Sequence, residues 1–236
     1  MAGHISDLGS NDWNTPEYLL EYVRQFFGGT IGLDPCSNAS STVGAVTNFT
    51  FPEEDGLTQP WRSGGVRGTN VFVNPPYGPY YVKDSEILSA KEMKEKIKEL
   101  EEGYGAAAAA VLKKQYKRFT MKDWTQAMVN AVENDGAVVV ALIPCKPGTA
   151  PWQQHVFPHS NAICYIRGRP VFAGAKAGAP IDCCFVLFSP SFNSVPRFLE
   201  VFEKVGYVSV SSALSGPRPQ NEEDRFPAQL TAGPVV

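Results

Sequence analysis

Short apolar runs that recur along the chain constrain the fold more than any other feature of this sequence. Six runs carry the pattern: "TIGLDP", "TNVFVNPP", "AVVVALIP", "NAICYIRG", "DCCFVLFS" and "YVSVSSAL". Several are apolar throughout and do not alternate with polar residues, which is typical of strands covered on both faces of a largely parallel sheet. Helical patterns lie between them. We therefore predict an α/β fold with a mostly parallel central sheet and helices on both faces.

Length and composition set the wider limits. A chain of 236 residues suits one domain, which we place at residues 1–214, followed by a proline-rich, polar tail at 215–236. No apolar run reaches the ~20 residues of a membrane span, and the first residues do not resemble a secretory signal, so a cytoplasmic location is expected. The five cysteines favour reduced core thiols over disulfides or a metal site, and no metal is expected.

Helix signals are clear at two places and extensive at a third. Thr15 is predicted to cap a first helix that has Pro16 at its first position and ends at Gly28. A second helix has Pro196 in its first turn. Residues 84–135 read as a helical insertion longer than a crossover connection requires. It is interpreted as a solvated charged surface, a lid, a target-recognition element or an oligomer contact. Its cationic stretch makes four residues candidates for DNA binding: Lys113, Lys114, Lys117 and Arg118.

The stretch "TNVFVNPPYGPYY" carries the chemistry. Ligands in open α/β sheets bind beyond the carboxyl ends of strands, where Asn74, Pro75, Pro76 and Tyr77 emerge. The prolines stiffen the backbone, so the Asn74 amide oxygen and the Pro75 carbonyl form two acceptors suited to an –NH2 group. Tyr77 offers a face for stacking on a planar base. The alternative is a Pro-Pro pair that only terminates the strand.

Several ordered segments together resemble one family. They are "SNDWNTPEYL", "LDPCSN", "EEDGLTQPW", "NVFVNPPYG", "LIPCKPGTAPWQQHVF", "YIRGRPVF" and "APIDCCFVLF", spanning residues 10 to 188. The chain resembles the phage-type, Dam-like DNA adenine N6-methyltransferases. That resemblance implies a Rossmann-like methyltransferase fold, S-adenosylmethionine as cofactor without a metal, and double-stranded DNA as substrate. It also implies the bacterial host's cytoplasm as the location if the chain is phage-encoded.

The resemblance further implies roles for matching positions. It makes Asn74 to Tyr77 the catalytic segment and assigns Asp55 to the adenine amine of the cofactor, with Leu57 or Trp61 covering the ring. The complete set implied to hold the cofactor is Thr15, Pro16, Asp34, Pro35, Cys36, Ser37, Asp55, Gly56, Leu57 and Asn74. An Asp-Pro turn around Pro35 and a solvated acidic turn around Asp55 are the structural alternatives.

The sequence departs from the family pattern in its first loop and in its candidates for binding ribose. The first loop, "DPCSNASS", lacks the glycine-rich pattern common around the cofactor, and Glu53 or Glu54 is only a weak candidate for binding ribose. Arg167 and Arg169 are candidates for phosphate contacts, with ordinary surface ion pairs as the alternative.

Rival functions are methylation of cytosine N4, RNA adenine or protein glutamine, or cofactor-free nucleic-acid binding on the same scaffold.

Overall fold

The computed structural model describes residues 14–50, 54–84, 86–172, 178–179 and 181–211. The strands within this part of the chain are β1 Leu33–Ser37, β2 Thr47–Thr50, β3 Asn70–Val73, β4 Tyr80–Lys83, β5 Glu86–Ser89, β6 Lys117–Phe119, β7 Val138–Pro144, β8 Ala162–Ile166, β9 Cys183–Phe188 and β10 Gly206–Val210. The helices are α1 Glu17–Phe26, α2 Ala90–Tyr104, α3 Ala106–Gln115, α4 Met121–Asp135, α5 Phe157–His159 and α6 Val195–Phe202, with a π-helical turn at Trp152–Val156 and a 3-10 turn at Phe192–Ser194.

One large sheet organises the described chain, with the strand order β10-β8-β9-β7-β3-β1-β2. Strands β2, β1, β3 and β7 are parallel neighbours. Strands β9 and β10 run in the opposite direction, so the pairs β7–β9, β9–β8 and β8–β10 are antiparallel. The predicted α/β class is confirmed, and each of the six apolar runs overlaps a strand of this sheet. The sheet is mixed, with its parallel half on the side of β1 and β3.

The core lies on both faces of this sheet. Helices α1 and α6 cover one face, where Leu20, Phe198 and Phe202 are fully buried. Helix α4 and the π-helical turn cover the other face through Met128 and Trp152. Because apolar groups contact both faces, the strands carry continuous apolar sequences, which is the pattern that predicted them.

The start of α1 corrects one prediction. Thr15 does not cap the helix: Glu17 is its first residue, Pro16 precedes it, and no side chain caps its N-terminus. The Thr15 hydroxyl instead accepts a hydrogen bond from Asn74, 59 residues away. The predicted end is confirmed, since the turn after Phe26 contains Gly28 with a φ of 74°. A tertiary contact therefore takes the side chain that the local sequence assigned to the helix.

Residues 84–135 contain strands as well as helices. Strands β5 and β6 flank β4 in a small antiparallel sheet, while α2 and α3 follow one another between β5 and β6. Leu88, Met93 and Tyr116 form a buried cluster between this sheet and the two helices. On the opposite face, Tyr80 stacks on Phe119 with ring centroids 5.4 Å apart. Helix α4 then packs on the large sheet and leads to β7.

Other expectations concern cysteines, metals, membranes and the tail. All five cysteines are free thiols. The described residues contain no group of histidine, cysteine and acidic side chains arranged to hold a metal. None of the helices in the described part is both long and apolar enough to span a membrane. The predicted tail at 215–236 and the ribose candidate Glu53 lie outside the described residues.

Candidate active site

The connections between parallel strands define a crevice between β1 and β3. The chain leaves β1 for its neighbour β2 on one side, and it leaves β3 for β7 on the other side. In α/β sheets, ligands bind at the carboxyl ends of strands where the connections diverge in this way. Asp34 to Ser37 are the last four of the five residues of β1, and Asn74 follows the last residue of β3. The two predicted segments therefore meet at this crevice.

A cavity of about 310 Å³ occupies the crevice, which is a volume within the range of small-ligand sites. Nine of the predicted site residues line it: Thr15, Asp34, Pro35, Cys36, Ser37, Asp55, Gly56, Asn74 and Pro76. The lining does not include Pro16, Leu57, Pro75 or Tyr77. The structure thus brings together segments that are far apart in the sequence, such as Thr15 and Asn74, which are 59 residues apart.

Asn74 is held by a direct hydrogen bond to the segment before α1. Its side-chain Nδ2 donates to the hydroxyl oxygen of Thr15 at 3.0 Å, and Thr15 is buried. This contact fixes the orientation of the amide, so that Oδ1 is directed away from Thr15. An amine can be oriented only by acceptors that are themselves held in place, and Oδ1 of Asn74 at the end of β3 is such an acceptor.

Asp34 is a buried carboxyl group in the wall of the cavity. Burial raises its pKa to about 6, although the backbone N–H and thiol of Cys36 and the hydroxyl of Ser41 donate to it and partly oppose that shift. Burial also raises the pKa of the Cys36 thiol, and the Asp34 carboxylate raises it further. The cavity therefore contains a carboxyl group whose charge is not balanced by a cation among the described residues, and which would be stabilised by a cationic ligand.

Asp55 lies in a tight turn that approaches β1. Its Oδ1 accepts the backbone N–H of Leu57 at 2.9 Å. A Cβ atom on Gly56 would lie 1.8 Å from the carbonyl oxygen of Pro35, so only glycine permits this approach. Trp61 is buried and donates its indole N–H to the Gly56 carbonyl at 2.7 Å. Trp61 therefore holds the turn from behind and, like Leu57, is not part of the cavity wall.

Tyr77 lies beside the cavity and not in its lining. Its ring contacts Phe172 edge-on, with centroids 5.9 Å apart. Its hydroxyl donates to the Leu142 carbonyl at 3.4 Å and accepts from the Cys183 thiol at 3.8 Å. The predicted stacking of a base on this ring stays a prediction.

The cavity has an aromatic wall that the sequence analysis did not identify. Phe49, Tyr80 and Trp124 line it together with Val82 and Ile87. Tyr80 and Val82 come from β4, which begins three residues after Tyr77. Nothing in the patterns "GPYYVK" or "KDWTQAM" separates these aromatic residues from ordinary core residues. Their contribution depends on how the small sheet and α4 pack.

The four cationic candidates are exposed, and two of them lie on a strand that pairs with the cavity wall. Lys113 and Lys114 are in the last turn of α3, and Lys117 and Arg118 are on β6. Strand β6 pairs with β4, which places Lys117 opposite Val82 of the cavity wall. Pairing in the small sheet therefore brings part of the basic stretch next to the cavity.

Arg167 and Arg169 lie at the same end of the large sheet as Asn74, but farther from the cavity. Arg167 follows β8, which runs in the same direction as β3, and it is exposed. Arg169 forms an ion pair with Asp182 at 3.0 Å. For Arg169 this is the ion pair that the sequence analysis gave as the alternative to a phosphate contact.

The structure combines a mixed sheet, a cleft lined by carboxylates and an Asn-Pro-Pro-Tyr segment at the end of a central strand. This is the arrangement of a ligand-binding α/β domain. The family model for DNA N-6-adenine-methyltransferase (Dam) matches residues 3–188. The chain belongs to this family, as the sequence analysis predicted. Comparisons with curated proteins and with solved structures found no significant match.

Proposed function

We propose that this protein is a DNA methyltransferase that transfers a methyl group from S-adenosylmethionine to the N6 amine of adenine, on a Rossmann-like methyltransferase fold. The observation that carries the proposal is the position of Asn74. It follows the central strand β3, lines the cleft beside Asp34 of β1, and is oriented by Thr15. Membership of the Dam family supports the same reaction.

The residues of the cleft fit the proposed cofactor. Asp34 is a buried carboxyl group without a cationic partner among the described residues, which suits the ammonium group of a methionine moiety. Asp55 offers a second carboxylate in the lining of the same cavity, which suits an exocyclic amine. S-adenosylmethionine would supply the methyl group, already activated by its sulfonium charge. Thr15, Cys36 and Ser37 would complete the wall around the methionine end.

The proposed catalytic step needs acceptors for an amine and no strong base. The Oδ1 atom of Asn74 and the carbonyl of Pro75 would accept the two N–H groups of the target adenine, which directs the nitrogen lone pair at the methyl group. Positive charge that develops on the nitrogen is stabilised by the same two oxygens. The new N–C bond would form as the methyl–sulfur bond breaks, S-adenosylhomocysteine would leave, and the amine would release one proton to solvent. The target base must leave the DNA stack to reach this site.

The basic surface supports DNA as the polymer that carries the adenine. Lys117 and Arg118 lie on β6 next to the strand that lines the cavity, and both are exposed. Lysine and arginine at such positions would hold phosphates while the base enters the cleft. The predicted contacts of Lys113, Lys114 and Arg167 belong to the same proposal.

The decisive test is incubation of the purified protein with labelled S-adenosylmethionine and unmethylated duplex DNA, followed by digestion and chromatography of the nucleosides. We expect the label in N6-methyldeoxyadenosine. Label in N4-methylcytosine, in RNA adenine or in protein glutamine, when those acceptors are supplied, would assign a different amine. Absence of any labelled product across a panel of DNA sequences would contradict the proposal.

The Thr15 contact yields a second prediction. Replacing Thr15 with valine keeps the shape of the side chain and removes the hydroxyl that accepts from Asn74. Since one hydrogen bond contributes about 1 kcal/mol, we expect kcat to fall about fivefold to tenfold, with little change in affinity for S-adenosylhomocysteine.

Thr15→Ser is the matched control, because it retains the hydroxyl and is expected to keep most of the rate. If Thr15→Val instead weakens binding of S-adenosylhomocysteine and leaves kcat intact, Thr15 contacts the cofactor and does not position Asn74.

A further inference from the structure

The loop between β1 and β2 is hydrogen-bonded to the segment that precedes α1. Asn14 donates through Nδ2 to the backbone carbonyl of Ser40 at 2.7 Å and to its hydroxyl at 3.1 Å, and it accepts through Oδ1 from Asn38 at 3.2 Å. Asn38 in turn accepts through Oδ1 from the backbone N–H and the hydroxyl of Ser40, at 2.8 and 2.9 Å. Each amide therefore uses both its donor and its acceptor side. We call this network of Asn14, Asn38 and Ser40 the asparagine bridge.

The same loop is held at two further points. Arg24 of α1 donates to the carbonyl oxygens of Thr42 and Val43, at 3.1 and 3.2 Å. On the inner side, the hydroxyl of Ser41 donates to the carboxylate of Asp34 at 3.4 Å. The loop lacks the glycine-rich pattern common around the cofactor, and these side-chain hydrogen bonds define its shape instead. It contributes four residues to the lining of the cavity: Asn38, Ala39, Ser41 and Val43.

The segment that holds the loop also holds the proposed catalytic amide. Asn14 directly precedes Thr15, which is buried and accepts the hydrogen bond from Asn74. The connection between the two contacts is short and stiff, because Thr15 is followed by Pro16 and a residue before proline has a restricted backbone. A displacement of Asn14 relative to the loop therefore moves the Thr15 hydroxyl and, with it, the Asn74 side chain.

We propose that Asn14 is a positioning residue for methyl transfer. The asparagine bridge fixes Asn14 relative to the loop that walls the cleft, and Thr15 carries that position to the amide of Asn74. The inference rests on the proposed function, because it concerns the orientation of the same catalytic amide. In-line transfer needs a fixed spacing between the methyl donor and the amine, and a displacement of about 1 Å can cost up to about 10²-fold in rate.

A direct contact with the cofactor is the competing role for this residue, since Asn14 and Asn38 also line the cavity. The two roles predict different kinetics. A lost cofactor contact raises Kd and is overcome by saturating S-adenosylmethionine, so that kcat is unchanged. A lost positioning contact lowers kcat at saturation, and its effect depends on the Thr15 hydroxyl.

The test is to measure kcat at saturating S-adenosylmethionine and DNA for the wild type, Asn14→Ala, Thr15→Val and the double variant, with calorimetric Kd values for S-adenosylhomocysteine. We expect Asn14→Ala to lower kcat about fivefold. Because Asn14 acts through Thr15, the double variant should be no slower than about tenfold below the wild type. Independent effects would multiply to about 25-fold to 50-fold.

A second variant interrupts the bridge from the loop side. Asn38→Ala removes the donor to Asn14 and the acceptor for Ser40. It should lower kcat by a similar factor and should also fail to multiply with Thr15→Val. The inference therefore remains testable if Asn14→Ala does not fold.

Asn48→Ala is the matched control. Asn48 is exposed, donates to the Ala45 carbonyl at 3.0 Å and is not part of the cavity lining, so this variant should keep the wild-type kcat. Losses in kcat that multiply, or a raised Kd with unchanged kcat in Asn14→Ala, would overturn the inference and leave the proposed function intact. A wild-type protein that methylates no DNA would overturn the proposed function and this inference with it.

Discussion

Replacing Asn74 with alanine is expected to lower the rate of methyl transfer by about three orders of magnitude, while the affinity for S-adenosylhomocysteine changes only a few-fold. The substitution removes the proposed acceptor for the target amine, and loss of one preorganised polar group at a reacting centre costs about 10²–10³ in rate. Loss of the bond to Thr15 adds to this effect. Single-turnover methylation and calorimetry measure the two quantities separately.

Asn130→Ala is a suitable control, because Asn130 lies on the exposed side of α4 and accepts a hydrogen bond from the neighbouring exposed residue Gln126. This variant should methylate DNA at the wild-type rate. An Asn74→Ala protein that retains its Tm and still transfers methyl groups at more than a tenth of the wild-type rate would contradict the assignment of Asn74 as a catalytic residue.

Asp34 should make cofactor binding dependent on pH. Burial raises its pKa to about 6, so the empty site contains a neutral carboxylic acid below that pH and a carboxylate above it. An ammonium group favours the carboxylate. The affinity for S-adenosylhomocysteine should therefore rise about tenfold per pH unit up to pH 6 and then remain level to pH 8. Asp34→Asn should weaken binding about 10²-fold at pH 7.5 and abolish this dependence.

The raised pKa of Asp34 also predicts that the empty protein loses stability as the pH rises, whereas its affinity for the cofactor increases. Because the pKa of Asp34 is higher in the folded than in the unfolded state, folding loses stability as pH rises from about 4 to 6, by up to about 3 kcal/mol for a shift from 3.8 to about 6. Asp34→Asn should therefore stabilise the empty protein at pH 7.5 but not at pH 4. Denaturant unfolding at the two pH values measures this difference.

Asp84→Asn is the control for both Asp34 measurements. Asp84 is exposed and has a φ of 50°, a conformation that asparagine tolerates. Its affinity profile and unfolding curves should match those of the wild type. If Asp34→Asn binds S-adenosylhomocysteine as tightly as the wild type at pH 7.5, Asp34 does not hold the ammonium group.

Six of the seven strands of the large sheet, and its core, could be predicted from the sequence, because strands buried on both faces must be apolar throughout. The edge strand β2 lies outside the six apolar runs and was not predicted. Helices α1 and α6 were equally visible, since their apolar stripes and the residues at Gly28 and Pro196 are local signals. The short strands β4, β5 and β6 were not predicted. They are exposed on part of their surface and rely on pairing with each other, which no local pattern reports.

In the candidate site, too, some features could be predicted from the sequence and others could not. Local chemistry in the sequence determined that Asn74, Pro75 and Pro76 would form a rigid polar tip at the end of a strand, and family resemblance assigned the reaction. Only the tertiary structure decided that Thr15 orients Asn74 and does not cap α1, that Trp61 lies behind the Asp55 turn, and that Trp124 lines the cavity. The physical reason is that hydrogen-bond partners and burial depend on which segments meet in space, and the sequence around each residue does not contain that information.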